Sequence, residues 1–448
     1  MRVLTIKRIA VSNFKSFDYM VTELGRLNVV IGANASGKSN FVSIFKFLKD
    51  IFTNGLDNAF AMQGGVDCVR NMNIRTSKDL SVEISIILSV DTAFFPTYTR
   101  RNGKRVLVNI DPTEMTYSFC VEFYKKKRGY VVKEERLESK FNFTEVEKAK
   151  RELKKGKKIG EGKIALFLDK MGRFEFHIEP RDSVSMKEIF PFMRFKKKIP
   201  IVRALRSRKE LNLLGTSFPR LVPNVQALTF FSPFSSTIRG LLSEIALYDI
   251  DPKLSKRSTL ITGRTELDSD GSNLATVLKN ILSTKKNRKR LSNIVRDLLP
   301  FIEDISVEKQ ADRSLLACLK EIYCGKRYLP APLISDGTIN VTALIIALYF
   351  ERNPITIIEE PERNIHPILI SKIIDMMRDV SEKMGKQIII TTHNPEVVKS
   401  AGIENLLLIY RERNTSRIDR PSEKEKVRNF LKNEIGVDEL FVKNLLGV

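Results

Sequence analysis

The spacing of hydrophobic residues near the N-terminus predicts two strands, a loop and a helix, in that order. Residues 2–14 and 27–32 are rich in β-branched residues, as strands are. Residues 39–52, SNFVSIFKFLKDIF, repeat apolar positions at helical spacing. The stretch GANASGKSN, residues 32–40, lies between the second strand and the helix, and its glycines predict a tight loop.

The pattern changes between about residues 80 and 180. Short strand-like runs separated by polar or glycine-containing turns predict an antiparallel sheet there. The runs are SVEISIILSV, MTYSFCVEFY, YVVKEERL, KIALFLD and RFEFHIE. Among them, KAKRELKKGKKIGEGK (148–163) has the charge density and glycines of a solvated loop or a frayed helix.

The C-terminal half begins with a helical pattern and returns to strands. Residues 200–300 are predicted to be mostly helical, most clearly in LLSEIALYDI and SNLATVLKNILSTKKNRKRLSNIVRDLLPFI. After residue 300 strands return, and the apolar runs in PITIIEEPE and QIIITTHNPE each end abruptly in polar or charged groups. The sequence has no internal repeat and no long heptad array.

Length and composition indicate an ordinary globular protein. The 448 residues, 42% of them hydrophobic, suffice for two or three domains with a sizeable core. The longest apolar run, ALIIALYF, is far shorter than the roughly 18 residues that span a bilayer, and the first residues lack a secretory pattern. We therefore expect a cytoplasmic protein with no membrane partner. The four cysteines lack CxxC spacing, so neither a disulfide framework nor a structural metal is expected.

Charge points to a polyanionic partner. The chain has 76 basic and 53 acidic residues, a net charge of +23. Residues 121–210 contain 27 basic and 14 acidic residues and so hold over half of this excess.

The loop at 32–40 has the chemistry of a phosphate cradle. Gly32, Gly37, Lys38 and Ser39 match GxxxxGK[ST], and the flanking strand and helix are the expected context. Backbone N–H groups and the positive helix end would hold the β-phosphate, Lys38 would reach the β- and γ-oxygens, and the Ser39 hydroxyl would be a Mg²⁺ ligand. The predicted nucleotide-binding residues here are Gly32, Asn34, Ala35, Ser36, Gly37, Lys38, Ser39 and Asn40. The alternative is a glycine turn without function.

Two adjacent acids follow the apolar run of PITIIEEPE. Ligands of open α/β sheets bind at the carboxyl ends of strands, where Glu359 and Glu360 are expected. Neighbouring strand residues point to opposite sides, so Glu359 could contact Mg²⁺ while Glu360 orients and deprotonates the attacking water. The alternative is that both acids only cap a strand in solvent.

QIIITTHNPE repeats this arrangement. His393, one of three histidines in the chain, is expected just beyond a second apolar strand, where its imidazole could hydrogen-bond to a γ-phosphate. The alternative is an ordinary structural histidine.

LISDGTINVTALIIALYF predicts a further anion site. Ser335 and Asp336 look like the start of a helix, and Gly337 would allow another backbone to approach closely. Such a helix end offers a hydroxyl, a glycine N–H and a positive dipole. Because the cradle already fills the phosphate position of one subunit, this second site makes sense if it closes over the nucleotide of another copy. The alternative is an ordinary capped helix.

In chain order these motifs resemble the ATP-binding-cassette class of P-loop ATPases. The correspondence is Walker A at 32–39, a signature at 334–338, Walker B at 355–360, a D-loop-like PERNIHP and a switch histidine at 393. The residues NFKSF (13–17), Asn40, SDGT, EEPE and TTHNP resemble the RecF, SMC and OLD-like branch rather than membrane transporters. LISDGT departs from LSGGQ. Gln63 and Gln226 are the candidates for the Q-loop glutamine.

The resemblance implies an α/β fold: an ATPase head with a mixed sheet, an antiparallel β region and a helical lobe. The expected segments are an N-terminal head part (1–90), a basic antiparallel region (91–235), a helical lobe (236–304) and a C-terminal head part (305–448). With no heptads and only about 55 residues after the histidine motif, we expect a compact head without a coiled coil or a TOPRIM nuclease domain.

The resemblance also implies ATP and Mg²⁺ as cofactors and a homodimer that closes on ATP, each γ-phosphate touched by Lys38 of one copy and Ser335 of the other. Two roles remain open. The basic segments within 121–210 and at 285–290 predict an ATPase that binds DNA in repair or anti-phage defence. Alternatively, the protein is a nucleotide-switched scaffold that holds and releases a separately encoded effector, such as a nuclease or toxin.

Overall fold

The computed structural model describes residues 3–71, 81–91, 95–101, 104–124, 129–149, 152–171, 173–179, 199–200, 235–261, 265–432 and 435–446. The chain forms two compact units. The first contains Met1–Leu24, Ser43–Ser243 and Arg411–Arg417, and the second contains Gly25–Val42, Glu244–Tyr410 and Ile418–Val448. Among the described residues, no helix has the length and apolar character needed to cross a membrane.

Strands and helices are numbered in chain order. The strands are β1 (Val3–Phe14), β2 (Phe17–Glu23), β3 (Leu27–Ile31), β4 (Ser81–Asp91), β5 (Phe95–Arg101), β6 (Lys104–Phe123), β7 (Tyr130–Ala149), β8 (Glu152–Asp169), β9 (Arg173–Glu179), β10 (Ile199–Pro200), β11 (Ala246–Tyr248), β12 (Ile302–Lys309), β13 (Leu315–Glu321), β14 (Leu329–Pro330), β15 (Ile355–Glu359), β16 (Gln387–Thr391), β17 (Leu406–Glu412) and β18 (Thr415–Asp419). The helices are α1 (Lys38–Asn54), α2 (Leu56–Met62), α3 (Val66–Val69), α4 (Ser235–Ser243), α5 (Pro252–Ser255), α6 (Leu274–Leu282), α7 (Lys285–Leu298), α8 (Asp336–Tyr349), α9 (Pro367–Lys383), α10 (Pro395–Ala401), α11 (Glu425–Lys432) and α12 (Val437–Val442).

The first unit is built on an antiparallel sheet, as the alternating runs predict. Its strands lie in the order β10-β9-β8-β7-β6-β4-β1-β2, with β5 also paired to β6. Aromatic side chains from α1 and α2 pack against it: the Phe47 ring lies 5.7 Å from that of Phe14, and the Phe60 ring lies 6.0 Å from that of Phe123. The predicted antiparallel β region is confirmed.

One prediction in this unit is wrong. The charge and glycines of residues 148–163 predict a solvated loop or a frayed helix, but residues 152–169 form β8, which pairs with β7. A glycine helps to explain the difference, because a Cβ at Gly162 would lie 2.3 Å from the Phe141 ring. The glycine therefore leaves room for the aromatic ring of the neighbouring strand to cover β8.

The second unit contains a six-stranded sheet in the order β11-β15-β16-β3-β17-β18. Strands β11, β15, β16, β3 and β17 pair in parallel, and the side chains of β3 and β16 are buried throughout. A smaller sheet, β12-β13-β14, and the helices α6 and α7 pack around the same hydrophobic core. The predicted α/β class with a helical lobe is confirmed.

A second prediction is partly wrong. The periodicity of LLSEIALYDI predicts a helix throughout, but α4 ends at Ser243 and Ala246–Tyr248 form strand β11. The physical reason is tertiary: β11 hydrogen-bonds in parallel to the edge of β15, with Tyr248 opposite Ile358. Pairing with an existing strand outweighs the local helical periodicity.

A buried lysine ties α8 to the start of β16. The Lys386 ammonium donates to the carbonyls of Ala347, at 3.3 Å, and Glu351, at 2.7 Å. Burial lowers the Lys386 pKa to about 8. The Glu351 carboxylate in turn accepts the Leu267 N–H at 2.9 Å. Helix α8, which begins with the predicted signature residues, is thus fixed to the central sheet at its opposite end.

Candidate functional site

The glycine loop lies between β3 and α1, as its sequence context predicts. Helix α1 begins at Lys38, and the Phe41 N–H donates to the Gly37 carbonyl at 2.9 Å. Gly32 is required by close packing, because a Cβ there would lie 2.1 Å from the Ile409 carbonyl oxygen of β17. The neighbouring strand therefore supports the loop directly.

Lys38 folds back over this loop. Its ammonium donates to the carbonyls of Gly32, at 2.7 Å, and Ala33, at 3.1 Å. Burial lowers the Lys38 pKa, while the negative charge of Glu360 acts in the opposite direction. The charges of Lys38 and of Glu360, the predicted general base, therefore interact. Of the remaining predicted loop residues, Asn34, Ala35 and Ser39 are exposed, Asn40 is partly exposed and Ser36 is buried.

Three motifs meet at one edge of the parallel sheet. β15, β16 and β3 are neighbours, with Glu359 opposite Thr391 and Thr391 opposite Val30. Two backbone bonds extend this register past the strand ends: the Glu360 N–H donates to Thr391 at 2.9 Å, and the Thr392 N–H donates to Val30 at 3.0 Å. The cradle, the acid pair and the histidine segment consequently follow adjacent strands.

Glu360 is held from two sides. His393 Nδ1 lies 2.8 Å from one carboxylate oxygen, and the Arg363 guanidinium lies 3.6 Å from the other. Arg363 also pairs with Asp249, which follows β11, at 2.9 Å. Glu360 itself has a positive φ of 45°, so its backbone turns sharply out of the strand. The carboxylate predicted to act as a base is therefore oriented by its neighbours.

The histidine segment is anchored separately. The Thr392 hydroxyl donates to the Glu362 carboxylate at 2.5 Å, and burial raises the Glu362 pKa. Asn394 caps α10 by accepting the Glu396 N–H at 2.8 Å. With Nδ1 directed at Glu360, His393 presents its other ring nitrogen, Nε2, as the atom that could contact a phosphate.

The predicted signature begins a helix, as expected. Ser335 is the N-cap of α8, and its hydroxyl accepts the Thr338 N–H at 3.1 Å. A Cβ at Gly337 would lie 2.6 Å from the Asn364 carbonyl oxygen, so the backbone that approaches this glycine belongs to the same chain. The Asn340 amide also donates to the Arg363 carbonyl at 2.6 Å. The start of α8 is therefore packed on the turn that follows Glu360.

The donors predicted for Mg²⁺ are chemically suited to it. Ser39 lies in the first turn of α1 and Glu359 ends β15, and both carry the oxygen ligands that Mg²⁺ prefers. Within the described part of the chain, no cluster of three or more His, Cys, Asp or Glu side chains could hold a metal. At nucleotide sites Mg²⁺ usually binds one or two protein oxygens and takes its other ligands from phosphate and water.

Sequence reasoning missed Asp249, Glu362 and Arg363. Asp249 could have been found by the rule that selected Glu360, a polar residue after an apolar strand, had β11 been predicted as a strand. Glu362 and Arg363 lie in the D-loop-like PERNIHP, but the sequence does not indicate their partners. Of the two Q-loop candidates, Gln63 lies in the first unit and accepts a bond from Lys15 at 2.8 Å, and Gln226 lies outside the described residues. The Q-loop assignment stays a prediction.

One protein-family model matches this chain. A family model described as "AAA domain, putative AbiEii toxin, Type IV TA system" matches residues 27–86 and 123–399. The match includes the glycine loop, both acids, the signature segment and the histidine. No curated protein matches the chain.

Similar solved structures are heads of SMC proteins. One is an SMC head bound to the C-terminal winged-helix domain of ScpA, with 15% identity, a TM-score of 0.44, and 92% of this chain and 97% of the other covered. An SMC head from Thermotoga maritima has 11% identity and a TM-score of 0.39, with 93% and 98% covered. A Pyrococcus furiosus SMC head with an extended coiled coil, bound to the C-terminal domain of ScpA, has 12% identity and a TM-score of 0.39, with 96% and 100% covered.

Because the Asn364 carbonyl lies so close to Gly337, we expect a glycine-to-alanine change there to destabilise the protein. Within a helix, replacing glycine with alanine normally raises the free energy of unfolding by about 0.5–1 kcal/mol. Because the new methyl group would meet the Asn364 carbonyl oxygen, we expect Gly337→Ala to lower the free energy of unfolding by about 1–3 kcal/mol. Denaturant unfolding measures the difference.

The matched control is Gly240→Ala in α4, where a Cβ meets no atom within 4 Å. This variant should be neutral or slightly stabilised. Equal behaviour of the two variants would show that the turn after Glu360 and the start of α8 are not packed as described.

Proposed function

Since the chain belongs to the family described as "AAA domain, putative AbiEii toxin, Type IV TA system", we propose that this P-loop ATPase head binds and hydrolyses ATP as an ATP-gated dimer. The observation that carries the proposal is the arrangement of Lys38, Glu360 and His393. They follow adjacent parallel strands, His393 bonds to Glu360, and the charge of Glu360 acts on Lys38. Together with Mg²⁺, such groups supply the phosphate binding and the water activation on which phosphoryl transfer to water depends.

Each side chain has a separate task in hydrolysis. Lys38 binds the β- and γ-phosphate oxygens. Ser39 and Glu359 would hold Mg²⁺, which when bound neutralises phosphate charge. Glu360 accepts a proton as the water oxygen bonds to the γ-phosphorus, and the bond from that phosphorus to the β–γ bridging oxygen breaks, leaving ADP and phosphate. His393 orients Glu360 by donating from Nδ1 and donates to a γ-phosphate oxygen from Nε2, which requires a proton on both ring nitrogens.

The start of α8 supports the dimeric part of the proposal. Ser335 is exposed, and its helix end carries the partial positive charge that favours a phosphate. In the proposed dimer this end meets the nucleotide held by Lys38 of the second copy. The closed form then depends on the γ-phosphate, because ADP lacks the group that both copies contact, and hydrolysis allows reopening.

We further propose that the dimer binds DNA, in repair or anti-phage defence. The basic residues of the first unit give mixed support, since several are already neutralised: Lys140 pairs with Glu114 at 2.7 Å and Lys163 with Glu138 at 3.0 Å. The predicted segments at 125–128, 150–151, 194–198 and 201–210 lie outside the described residues.

Helix α7 is the stronger DNA candidate. Lys285, Lys286 and Lys289 are exposed, and within the described residues no ion pair involves them. Two of these lysines stand in the first turn, which contains no acid, although the helix dipole disfavours positive charge there by about 0.3–1 kcal/mol each. A phosphate backbone would remove this repulsion and would release counterions.

The family description favours one other candidate. It names a putative toxin of a type IV toxin–antitoxin system. A nucleotide-switched scaffold that holds and releases a separate effector would use the same ATP site, and its basic surface would meet an acidic protein instead of DNA.

The ATP-gated dimer is tested by Glu360→Gln. Glutamine keeps the size of the side chain but cannot accept the water proton, so we expect the hydrolysis rate to fall about 10²–10⁴-fold while ATP binding is retained. Because reopening requires hydrolysis, this variant should become dimeric with ATP and Mg²⁺ but stay monomeric with ADP. Light scattering coupled to gel filtration gives the mass.

The control is Lys38→Ala, which removes the phosphate-binding ammonium and should remain monomeric with ATP. A Glu360→Gln variant that binds ATP yet stays monomeric at micromolar protein concentration would contradict the dimer.

The DNA role is tested by reversing three charges, Lys285→Glu, Lys286→Glu and Lys289→Glu together. We expect weaker duplex binding, most clearly at low salt, and a salt dependence that is shallower by about 0.9 for each phosphate that the variant no longer neutralises. Fluorescence anisotropy at several salt concentrations measures both quantities.

The matched control reverses three exposed lysines on other helices, Lys372, Lys399 and Lys426, and so changes the net charge equally. If both triple variants lose affinity equally, α7 has no special role. If neither loses affinity and DNA leaves the ATPase rate unchanged, the scaffold is favoured.

A further inference from the structure

The α8 end that is proposed to receive ATP contains a carboxylate. Asp336 is the first residue of the helix and lies between Ser335 and Gly337. In the isolated chain this position suits an acid, because the helix dipole favours negative charge there. For a phosphate the same acid is unfavourable, since it competes for the positive helix end and repels the ligand. The proposed function therefore requires that this charge be compensated.

Lys256 supplies a compensating charge within the chain. Its ammonium forms an ion pair with the Asp336 carboxylate. The lysine side chain is only 16% exposed and that of Asp336 is 35% exposed, so solvent screens this pair less than it screens a surface pair.

Local hydrogen bonds hold the backbone around Lys256. The lysine directly follows the short helix α5, and its N–H donates to the Pro252 carbonyl at 3.1 Å. Asp251 caps the start of α5 by accepting the Lys253 N–H at 2.9 Å. These bonds set the backbone position of Lys256, and from that position its ammonium reaches the Asp336 carboxylate.

Lys256 is not the only cation in its neighbourhood. Together with Asp336 it lines an open hollow of about 890 Å³, which also contains Lys253 and Arg257. Both of these are exposed. They provide a natural comparison, because they contribute positive charge to the same hollow without being the partner of Asp336 in the ion pair.

We propose that Lys256 is a positioning residue that neutralises Asp336 and so allows the start of α8 to accept the γ-phosphate of ATP held by a second copy. This inference rests on the ATP-gated dimer proposed above. Lys256 acts through Asp336 and makes no phosphate contact of its own. A direct contact between lysine and phosphate is the competing explanation, and the two explanations predict different dimer affinities once the carboxylate is also removed.

The test measures ATP-dependent dimerisation in chains that carry Glu360→Gln. We expect Lys256→Ala to weaken each of the two equivalent sites about 10-fold, which raises the dimer dissociation constant about 100-fold. Adding Asp336→Asn should restore the constant to within about 3-fold of the parent, because no uncompensated carboxylate remains. Lys256→Arg should keep the dimer, and Lys253→Ala, the matched control, should change the constant less than about 3-fold. Sedimentation at several protein concentrations measures the constants.

Folding is checked separately by thermal unfolding without nucleotide, and Lys256→Gln replaces Lys256→Ala if the latter unfolds. The inference is overturned if Lys256→Ala dimerises like the parent. It is also overturned if adding Asp336→Asn to Lys256→Ala fails to restore the dimer dissociation constant, because the lysine would then contact the phosphate itself. A Lys253→Ala variant that weakens the dimer as much as Lys256→Ala would overturn it as well. Failure of the ATP-gated dimer is distinguishable, since the Glu360→Gln parent would then stay monomeric with ATP before any change at residue 256.

Discussion

Parallel pairing of β15 and β3 with the central strand β16 is the interaction on which the rest of this site depends. The register places the ends of all three strands at one edge, and two further backbone bonds, from Glu360 to Thr391 and from Thr392 to Val30, continue the pairing beyond the strands. Phosphate-binding, acidic and imidazole groups from distant parts of the sequence therefore meet without any of them contributing to the hydrophobic core. A slip in this register would separate them.

The turn after Glu360 extends this arrangement to α8. Arg363 contacts the Glu360 carboxylate and Asp249 with its side chain, while its carbonyl accepts the Asn340 amide. The next carbonyl, that of Asn364, lies so close to Gly337 that no side chain fits between them. The proposed general base and the proposed signature helix of one chain consequently share a single turn. Packed backbone atoms therefore link the partners of Glu360 to the start of α8.

The sequence predicts those parts of the fold and of the site that depend on short-range patterns. The glycine loop, the apolar strands ending in Glu359 and Thr391, and the N-cap Ser335 follow from short-range rules, and the structure has the predicted strands, loop and helix. The basic first part of β8 (152–162) and the short strand β11 were missed because their pairing depends on β7 and β15, whose contacts with them no local pattern reveals. For the same reason the Arg363–Asp249 and Lys256–Asp336 pairs could not be derived from spacing. The roles of Lys38, Glu359, Glu360, His393 and Ser335 in ATP chemistry remain predictions.

The central claim is that each ATP site needs two copies, and hydrolysis by a mixture of two inactive variants tests it most directly. Lys38→Ala lacks the phosphate-binding ammonium. Ser335→Asp keeps a good N-cap but adds a charge that repels phosphate. In a mixed dimer, one site combines the intact lysine of one copy with the intact serine of the other. The account predicts a rate well above that of either variant alone and at most about half of the wild-type rate, since only mixed dimers contain an intact site and each has one intact site of two. A mixture no more active than the separate variants would contradict it.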